Sequence, residues 1–193
     1  VNDCLKSVLT GLTDSLLDKD KQMHCVTISH ARSYADNKVP EMASAGIYAS
    51  TYTDKNTKIY KSKCPLIRLE SLNSLVCDGS SQKGDDFNPW MSTNLKNLDY
   101  ILVMDEVEAM FCQISSETFN GGITAEESLG HLQTLIYNAN KIIVGSADLN
   151  PLCLKYVNDI RKMRDDDFQL PTRTVSLIHK TAPLKSEKTF AFI

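Results

Sequence analysis

The sequence lacks the features that mark membrane, secreted and zinc-binding proteins. None of its apolar runs approaches the ~20 residues that a membrane-spanning helix needs, and no secretory signal peptide is visible at its start. Its six cysteines include no CxxC pair and no Cys/His cluster at zinc-ligand spacing. Free thiols are therefore the favoured interpretation, and we expect an intracellular protein that has no membrane partner.

The sequence also lacks a strong net charge, internal repeats and low-complexity tracts. The formal net charge of its 193 residues is -3, so no overall positive field indicates a nucleic-acid-binding protein. With 42% hydrophobic and 23% charged residues, the composition is that of an ordinary globular domain. Residues 46–68 form a local basic segment, which is either a phosphate-binding face or, as we favour, an ordinary solvated edge.

A buried strand that ends in two acids is the most informative stretch. Residues 100–104 are apolar or aromatic without polar alternation, which is typical of a strand buried on both faces of a parallel sheet. Asp105 and Glu106 follow directly, at the end of the strand where open α/β sheets bind ligands. One carboxylate can hold Mg²⁺ while the other polarises the water that attacks a nucleotide. The alternative is an N-cap Asp and a first-turn Glu that merely stabilise the next helix.

Periodicity predicts strands that alternate with helices, and hence an α/β fold with a mostly parallel sheet covered on both faces. The predicted strands are residues 23–29, 66–69, 100–104, 141–146, 174–178 and 189–193. The predicted helices are residues 2–12, 34–37, 107–112, 125–138 and 152–164, with a helix or turn at 70–75. The second helix is expected to stop before Pro40. The last is expected to carry Arg161, Lys162 and Arg164 in its final turn and to be closed by residues 165–167.

Three segments in this order resemble the first RecA-like domain of superfamily 2 helicases, and most of all the replication origin-binding helicases. They are residues 26–33 (VTISHARS), 100–108 (YILVMDEVE) and 142–149 (IIVGSADL), with a weaker fourth at 67–72 (IRLESL). The resemblance covers roughly residues 1–178. It implies a three-layer RecA-like fold of the P-loop NTPase type.

The resemblance also implies ATP and Mg²⁺ as cofactors, DNA as a partner and a role for each matching residue. Asp105 would hold the Mg²⁺ of bound ATP and Glu106 the hydrolytic water, with Val107 and Glu108 completing a variant DEVE box. The backbone of a nucleic-acid strand would be contacted by Ser29, His30, Arg32 and Ser71. The coupling of hydrolysis to domain movement would depend on Ser146 and Asp148. Asp148 departs from the family's Ser-Ala-Thr pattern.

Each of these residues also has a plain structural interpretation. Ser29 could cap the following helix, and His30 could be a surface histidine. Arg32 could pair with Asp36 one turn further on. Ser146 could simply end its strand.

The family's phosphate-binding turn, which ends in Gly-Lys-Ser/Thr, is missing from the sequence. In the resembling proteins it lies just before the helix that matches residues 2–12. The sequence therefore predicts a truncated domain without its first strand and phosphate loop, which leaves two strands with unpaired edges. Residues 1–178 would form the partial domain, and residues 179–193 would lead towards an absent second RecA-like domain. This chain alone is expected not to hydrolyse ATP.

Two other functional classes compete with the helicase hypothesis. The first is a non-catalytic α/β module that binds nucleic acid or protein and carries an inert acid box. The second is a response-regulator-like domain, which is disfavoured because its acids would lie near the amino terminus rather than in the middle of the chain.

Overall fold

The computed structural model describes residues 23–30, 32–44, 47–54, 58–76, 88–116, 124–146, 149–170, 176–179 and 189–192. Its strands are β1 (His24–Ser29), β2 (Ser50–Thr51), β3 (Pro65–Arg68), β4 (Tyr100–Asp105), β5 (Lys141–Ser146), β6 (Ser176–His179) and β7 (Thr189–Phe192). Its α-helices are α1 (Arg32–Ser44), α2 (Val107–Ile114), α3 (Ala125–Asn138) and α4 (Pro151–Phe168). Short 3₁₀ helices occupy Ile59–Lys61, Leu69–Ser74 and Leu95–Asn97. The helix predicted for residues 2–12 lies outside the described residues.

One sheet of seven strands organises the fold, in the order β2-β3-β1-β4-β5-β7-β6. The first five strands in this order are parallel, whereas β7 pairs antiparallel with both β5 and β6. The predicted α/β class with a mostly parallel sheet is therefore confirmed, in the three-layer arrangement that Rossmann-like and RecA-like domains share.

Alternation along the central strands divides the interior into two apolar clusters, one on each face of the sheet. In β4, Leu102 and Met104 join the larger cluster with α2, α3 and α4, whereas Ile101 and Val103 join the smaller one with α1. All six residues of β4 are buried, as the uninterrupted apolar run predicts. Burying one such side chain contributes about 1.5–3 kcal/mol, so this strand holds the two outer layers together.

The helix α1 is longer than predicted and runs through Pro40. A proline inside a helix removes one backbone hydrogen bond and crowds the preceding turn. Contacts on the far side of the proline favour continuation: Met42 is buried in the smaller cluster, and its carbonyl accepts a hydrogen bond from the backbone N–H of Ile47 at 2.9 Å. Tertiary packing therefore outweighs the local signal, and the prediction that this helix stops before Pro40 was wrong.

The helix α4 also exceeds its predicted end and continues through the acids at 165–167 to Phe168. Its last turn carries no basic residue, so the prediction that Arg161 and its basic neighbours lie there was wrong. Arg161 lies in the interior of the helix and is only 2% exposed. Its guanidinium instead contacts the carboxyl end of α3, donating from Nη1 to the carbonyl of Ala139 at 2.5 Å.

The last two strands of the chain complete the sheet next to β5. The two C-terminal strands form an antiparallel hairpin, and β7 pairs with β5 from Ile143↔Phe192 to Ser146↔Thr189. The hairpin therefore satisfies the edge of β5 that faces away from β4. The prediction of two unpaired edges named no strand and stays a prediction. The division of the chain at residue 178 stays a prediction. In the part of the chain that the structure describes, no helix is long and apolar enough to cross a membrane.

The start of α3 offers a test of local stability. Thr124 and Glu127 form a capping box: the Thr124 hydroxyl accepts from the Glu127 N–H at 3.1 Å, and the Glu127 carboxylate accepts from the Thr124 N–H at 2.7 Å. We expect Thr124→Ala to lower the free energy of unfolding by about 1 kcal/mol in urea titrations. Thr124→Ser keeps the acceptor and should change it little; an equal loss in both variants would contradict a capping role.

Candidate functional site

The carboxyl ends of four parallel strands bring most of the predicted site residues to one edge of the sheet. Ser29 of β1 is the register partner of Arg68 in β3, and Ile28 is the partner of Met104 in β4. One residue further along β4, Asp105 is paired with Gly145, directly before Ser146. The structure therefore places the acid pair beside Ser146, as expected from two neighbouring strands that end together.

Asp105 closes β4 from inside the sheet. Only 3% of the residue is exposed, and its carboxylate Oδ1 accepts a hydrogen bond from the backbone N–H of Glu106 at 3.1 Å. This contact shapes the turn from β4 into α2.

Glu106 has a left-handed backbone conformation, with φ 57° and ψ 50°. It occupies the N-cap position of α2, but its side chain makes no capping hydrogen bond. The capping interpretation of the acid pair was therefore wrong: Asp105 belongs to the strand, and Glu106 caps nothing with its side chain. A non-glycine residue in this conformation costs of order 1–2 kcal/mol, and such strain concentrates at functional sites.

Glu108 ties the acid box to the segment that follows β5. It lies in the first turn of α2, and its carboxylate accepts hydrogen bonds from the Ser146 hydroxyl and from the backbone N–H of Asn150. Asn150 in turn caps α4, where its side chain accepts from the Leu152 N–H at 2.8 Å. Ser146 is the last residue of β5, as the plain structural interpretation predicted. Through Glu108 it is also linked to the start of α2 and to the residue that caps α4. Asp148 lies outside the described residues.

The residues predicted to contact nucleic acid follow β1 and β3, and the structure describes their side chains only in part. Ser29 is 3% exposed at the end of β1, and half-buried His30 follows it with no hydrogen-bond partner for its Nδ1. Arg32 is the first residue of α1, but its side chain lies outside the description. Ser71 is half-buried in the Leu69–Ser74 segment that continues from β3.

Sequence reasoning missed an ionic cluster next to these residues. The buried Glu70 carboxylate forms an ion pair with the Arg68 guanidinium and accepts a hydrogen bond from the Gln113 side chain at 2.5 Å. The Arg68 guanidinium also lies 5.7 Å from the centre of the Tyr52 ring. The signal was weak, because Glu70 and Gln113 lie 43 positions apart in the chain.

The buried cysteines of the described residues are poor nucleophiles. Burial raises the pKa of Cys25 to about 12 and that of Cys64 to about 11, so both thiols are protonated at neutral pH. Burial, and next the nearby Glu108 carboxylate, also raise the pKa of Cys153. These three buried thiols are therefore poorly suited to act as nucleophiles.

Among the described residues, no group of three or more His, Cys, Asp or Glu side chains could hold a metal ion by itself. Mg²⁺ differs, because it is commonly bound by one or two carboxylates together with waters and substrate phosphates. One carboxylate at a strand end, Asp105, fits that mode.

Comparisons with known proteins identify no family for this chain. No protein-family model matches it, and no curated protein matches it. Among solved structures, the "delta-N METTL16 MTase domain" aligns with 97% of this chain and 81% of its own, at 8% identity and a TM-score of 0.39. A likeness at that TM-score carries no argument about activity.

Proposed function

We propose that this chain is part of an ATP-dependent DNA helicase or translocase of the replication origin-binding type. One observation carries the proposal: the acid box lies at the end of the central strand and is joined through Glu108 to Ser146, at the end of the neighbouring strand. Such a connection lets a change at the acid box reach the segment before α4. The ordered set of helicase-like segments supports the same interpretation.

In the proposed mechanism, the two adjacent acids have different tasks. Asp105, fixed at the strand end by its bond to the Glu106 N–H, would hold the Mg²⁺ of bound ATP, which would supply positive charge beside the phosphates. Glu106 accepts a proton from the attacking water and orients it. Its left-handed backbone and its lack of a capping contact direct the carboxylate to a task other than helix capping.

The proposed activity requires a phosphate-binding Gly-Lys-Ser/Thr turn, which these 193 residues do not contain. That turn would supply backbone N–H groups and a lysine to the phosphates. The proposed activity would also require a second RecA-like domain and a bound DNA strand.

A calorimetric titration with Mg-ATP tests the proposal on the protein that includes the sequence upstream of Val1. We expect this longer protein to bind Mg-ATP, and Asp105→Asn to weaken binding by about tenfold or more because a carboxylate ligand to Mg²⁺ is lost. Asp159→Asn makes the same change on the exposed surface of α4 and should leave affinity unchanged.

The second candidate is a non-catalytic α/β module that binds nucleic acid or protein. The burial of Asp105 favours it, since a carboxylate that bonds the next backbone N–H can serve the turn alone. Failure of the longer protein to bind Mg-ATP, or equal affinities of wild type and Asp105→Asn, would favour this module over the helicase.

A further inference from the structure

A cavity between α2, α3 and α4 has no role in the function proposed above. Its volume of about 450 Å³ is within the range of small-molecule sites in proteins. Most of the large side chains along its wall are apolar or aromatic, namely Phe111, Ile114, Leu129, Leu152 and Tyr156. The rings of Phe111 and Tyr156 meet edge to face, with their centres 5.1 Å apart. This wall is therefore suited to the apolar body of a ligand.

Leu152 leaves apolar surface in water at the same cavity. It lies in the first turn of α4, and 71% of the residue is exposed. A ligand that fills the cavity would cover part of this surface, and the hydrophobic effect favours such burial. An apolar wall alone does not select one ligand, so the polar groups of the cavity decide its chemistry.

Glu108 is the one charged side chain among the described residues that line the cavity. Its carboxylate accepts hydrogen bonds from the Ser146 hydroxyl and the Asn150 N–H, which are both neutral donors. In the part of the chain that the structure describes, no Lys, Arg or His side chain forms an ion pair with it. A carboxylate has about four lone-pair positions, so Glu108 retains both its negative charge and acceptor capacity.

The thiol of Cys153 indicates how this charge acts within the cavity. Cys153 lies on the same wall, and burial, followed by the nearby Glu108 carboxylate, raises the pKa of its thiol. The carboxylate therefore disfavours a second negative charge there. Apolar surroundings screen charge less than water does, so the cavity repels anions and attracts a positively charged group.

We propose that this cavity binds a small arylalkylamine, with the ammonium group on Glu108 and the aromatic body against Phe111 and Leu129. An aliphatic primary amine carries its positive charge at neutral pH, as lysine does. Its three N–H donors can share a carboxylate that already accepts from neutral donors. The inference goes beyond the proposed function and does not depend on it, since this chain forms the cavity without nucleotide or DNA.

Calorimetric titrations of this chain with phenethylamine, phenethyl alcohol and phenylacetate test the preference for a cation. The three probes share an aromatic body and differ in charge. We expect the amine to bind about tenfold more tightly than the alcohol, as a hydrogen bond to a charged group allows, and phenylacetate to bind most weakly. Absence of amine binding, or equal affinities for the amine and the alcohol, overturns the inference.

The variant Glu108→Gln identifies the group that holds the ammonium. It removes the charge at nearly constant size, so it should lower amine affinity about tenfold and leave alcohol affinity unchanged. Glu41→Gln is the matched control, because Glu41 lies in α1 on the opposite face of the sheet and its loss should leave all three affinities unchanged. Equal amine affinities of the two variants would overturn the assignment to Glu108.

Alkylation of Cys112 locates the bound amine without any substitution. The Cys112 thiol lines the cavity and is free and exposed, whereas those of Cys25, Cys64 and Cys153 are buried. Saturating phenethylamine should slow its reaction with iodoacetamide several-fold, measured by mass spectrometry, and phenylacetate at the same concentration should not. Unchanged reactivity of Cys112 with the amine bound would place the amine elsewhere and overturn the inference, even if Glu108→Gln failed to fold.

Discussion

Under the proposed helicase function, Glu106→Gln is expected to lower the ATP turnover of the longer protein about 10²–10⁴-fold. The amide keeps the shape of the side chain but cannot accept the proton of the attacking water. Mg-ATP affinity should remain, since Asp105 is assigned the metal. Steady-state phosphate release measures the loss, and unchanged turnover would remove Glu106 from the mechanism.

Replacing Glu106 by glycine should stabilise this chain and, under the proposed function, inactivate the longer protein. The left-handed conformation costs glutamate about 1–2 kcal/mol, whereas glycine adopts it freely but loses about 0.5–1 kcal/mol more backbone entropy on folding. Glu106→Gly should therefore raise the free energy of unfolding of this chain by about 0.5–1 kcal/mol, while the longer protein becomes inactive. Glu106→Gln keeps the strained conformation and should leave stability unchanged.

Glu126→Gly supplies the control for that effect. Glu126 lies in the first turn of α3 in ordinary helical conformation, so glycine there should destabilise the chain by about 1 kcal/mol. Urea titrations of both glycine variants should thus shift in opposite directions. A loss of stability in Glu106→Gly would show that the strain at this turn is not relieved by glycine.

Replacing Arg161 by methionine should be the most destabilising of these changes, at about 3 kcal/mol. The guanidinium is 2% exposed and donates from Nη1 to the carbonyls of Ile136 at 3.1 Å and Ala139 at 2.5 Å. These carbonyls lie at the carboxyl end of α3, where the helix dipole favours a positive charge. Methionine fills similar space but leaves the carbonyls without this donor.

Two further variants separate the charge of Arg161 from the geometry of its donors. Arg161→Lys keeps the charge without the planar fork and should lose an intermediate amount of stability. Lys162→Met changes the adjacent, exposed residue and should stay within about 0.5 kcal/mol of wild type. Urea midpoints measure all three variants, and equal midpoints for Arg161→Met and Lys162→Met would contradict the capping role.

The elements that the sequence predicted best are those whose signal is local. The limits of α3 and β5 match the prediction, and β4 differs only by including Asp105. In each of these, a continuous apolar run or a helical apolar stripe is bounded by polar or capping residues. Local periodicity decides such elements because every residue in them faces a fully buried or a clearly divided environment.

The elements that the sequence predicted poorly depend on contacts with residues that are distant in the chain. The helix α1 continues past Pro40 because Met42 packs into a core formed by strands far away in the chain. The basic residue Arg161, read locally as part of a final helical turn, instead serves the end of another helix. Neither contact leaves a pattern in its own segment.

The sequence by itself determined the layered α/β class, the central buried strand and the placing of two carboxylates at its end, because strand burial and helix amphipathicity are written in neighbouring residues. Only the tertiary structure decided that Glu106 is held in a left-handed turn, that Glu108 reaches Ser146 and that Glu70 joins Arg68 to Gln113. Those contacts bridge residues from different elements, and their geometry exists only once the strands are in register and the helices are packed on them.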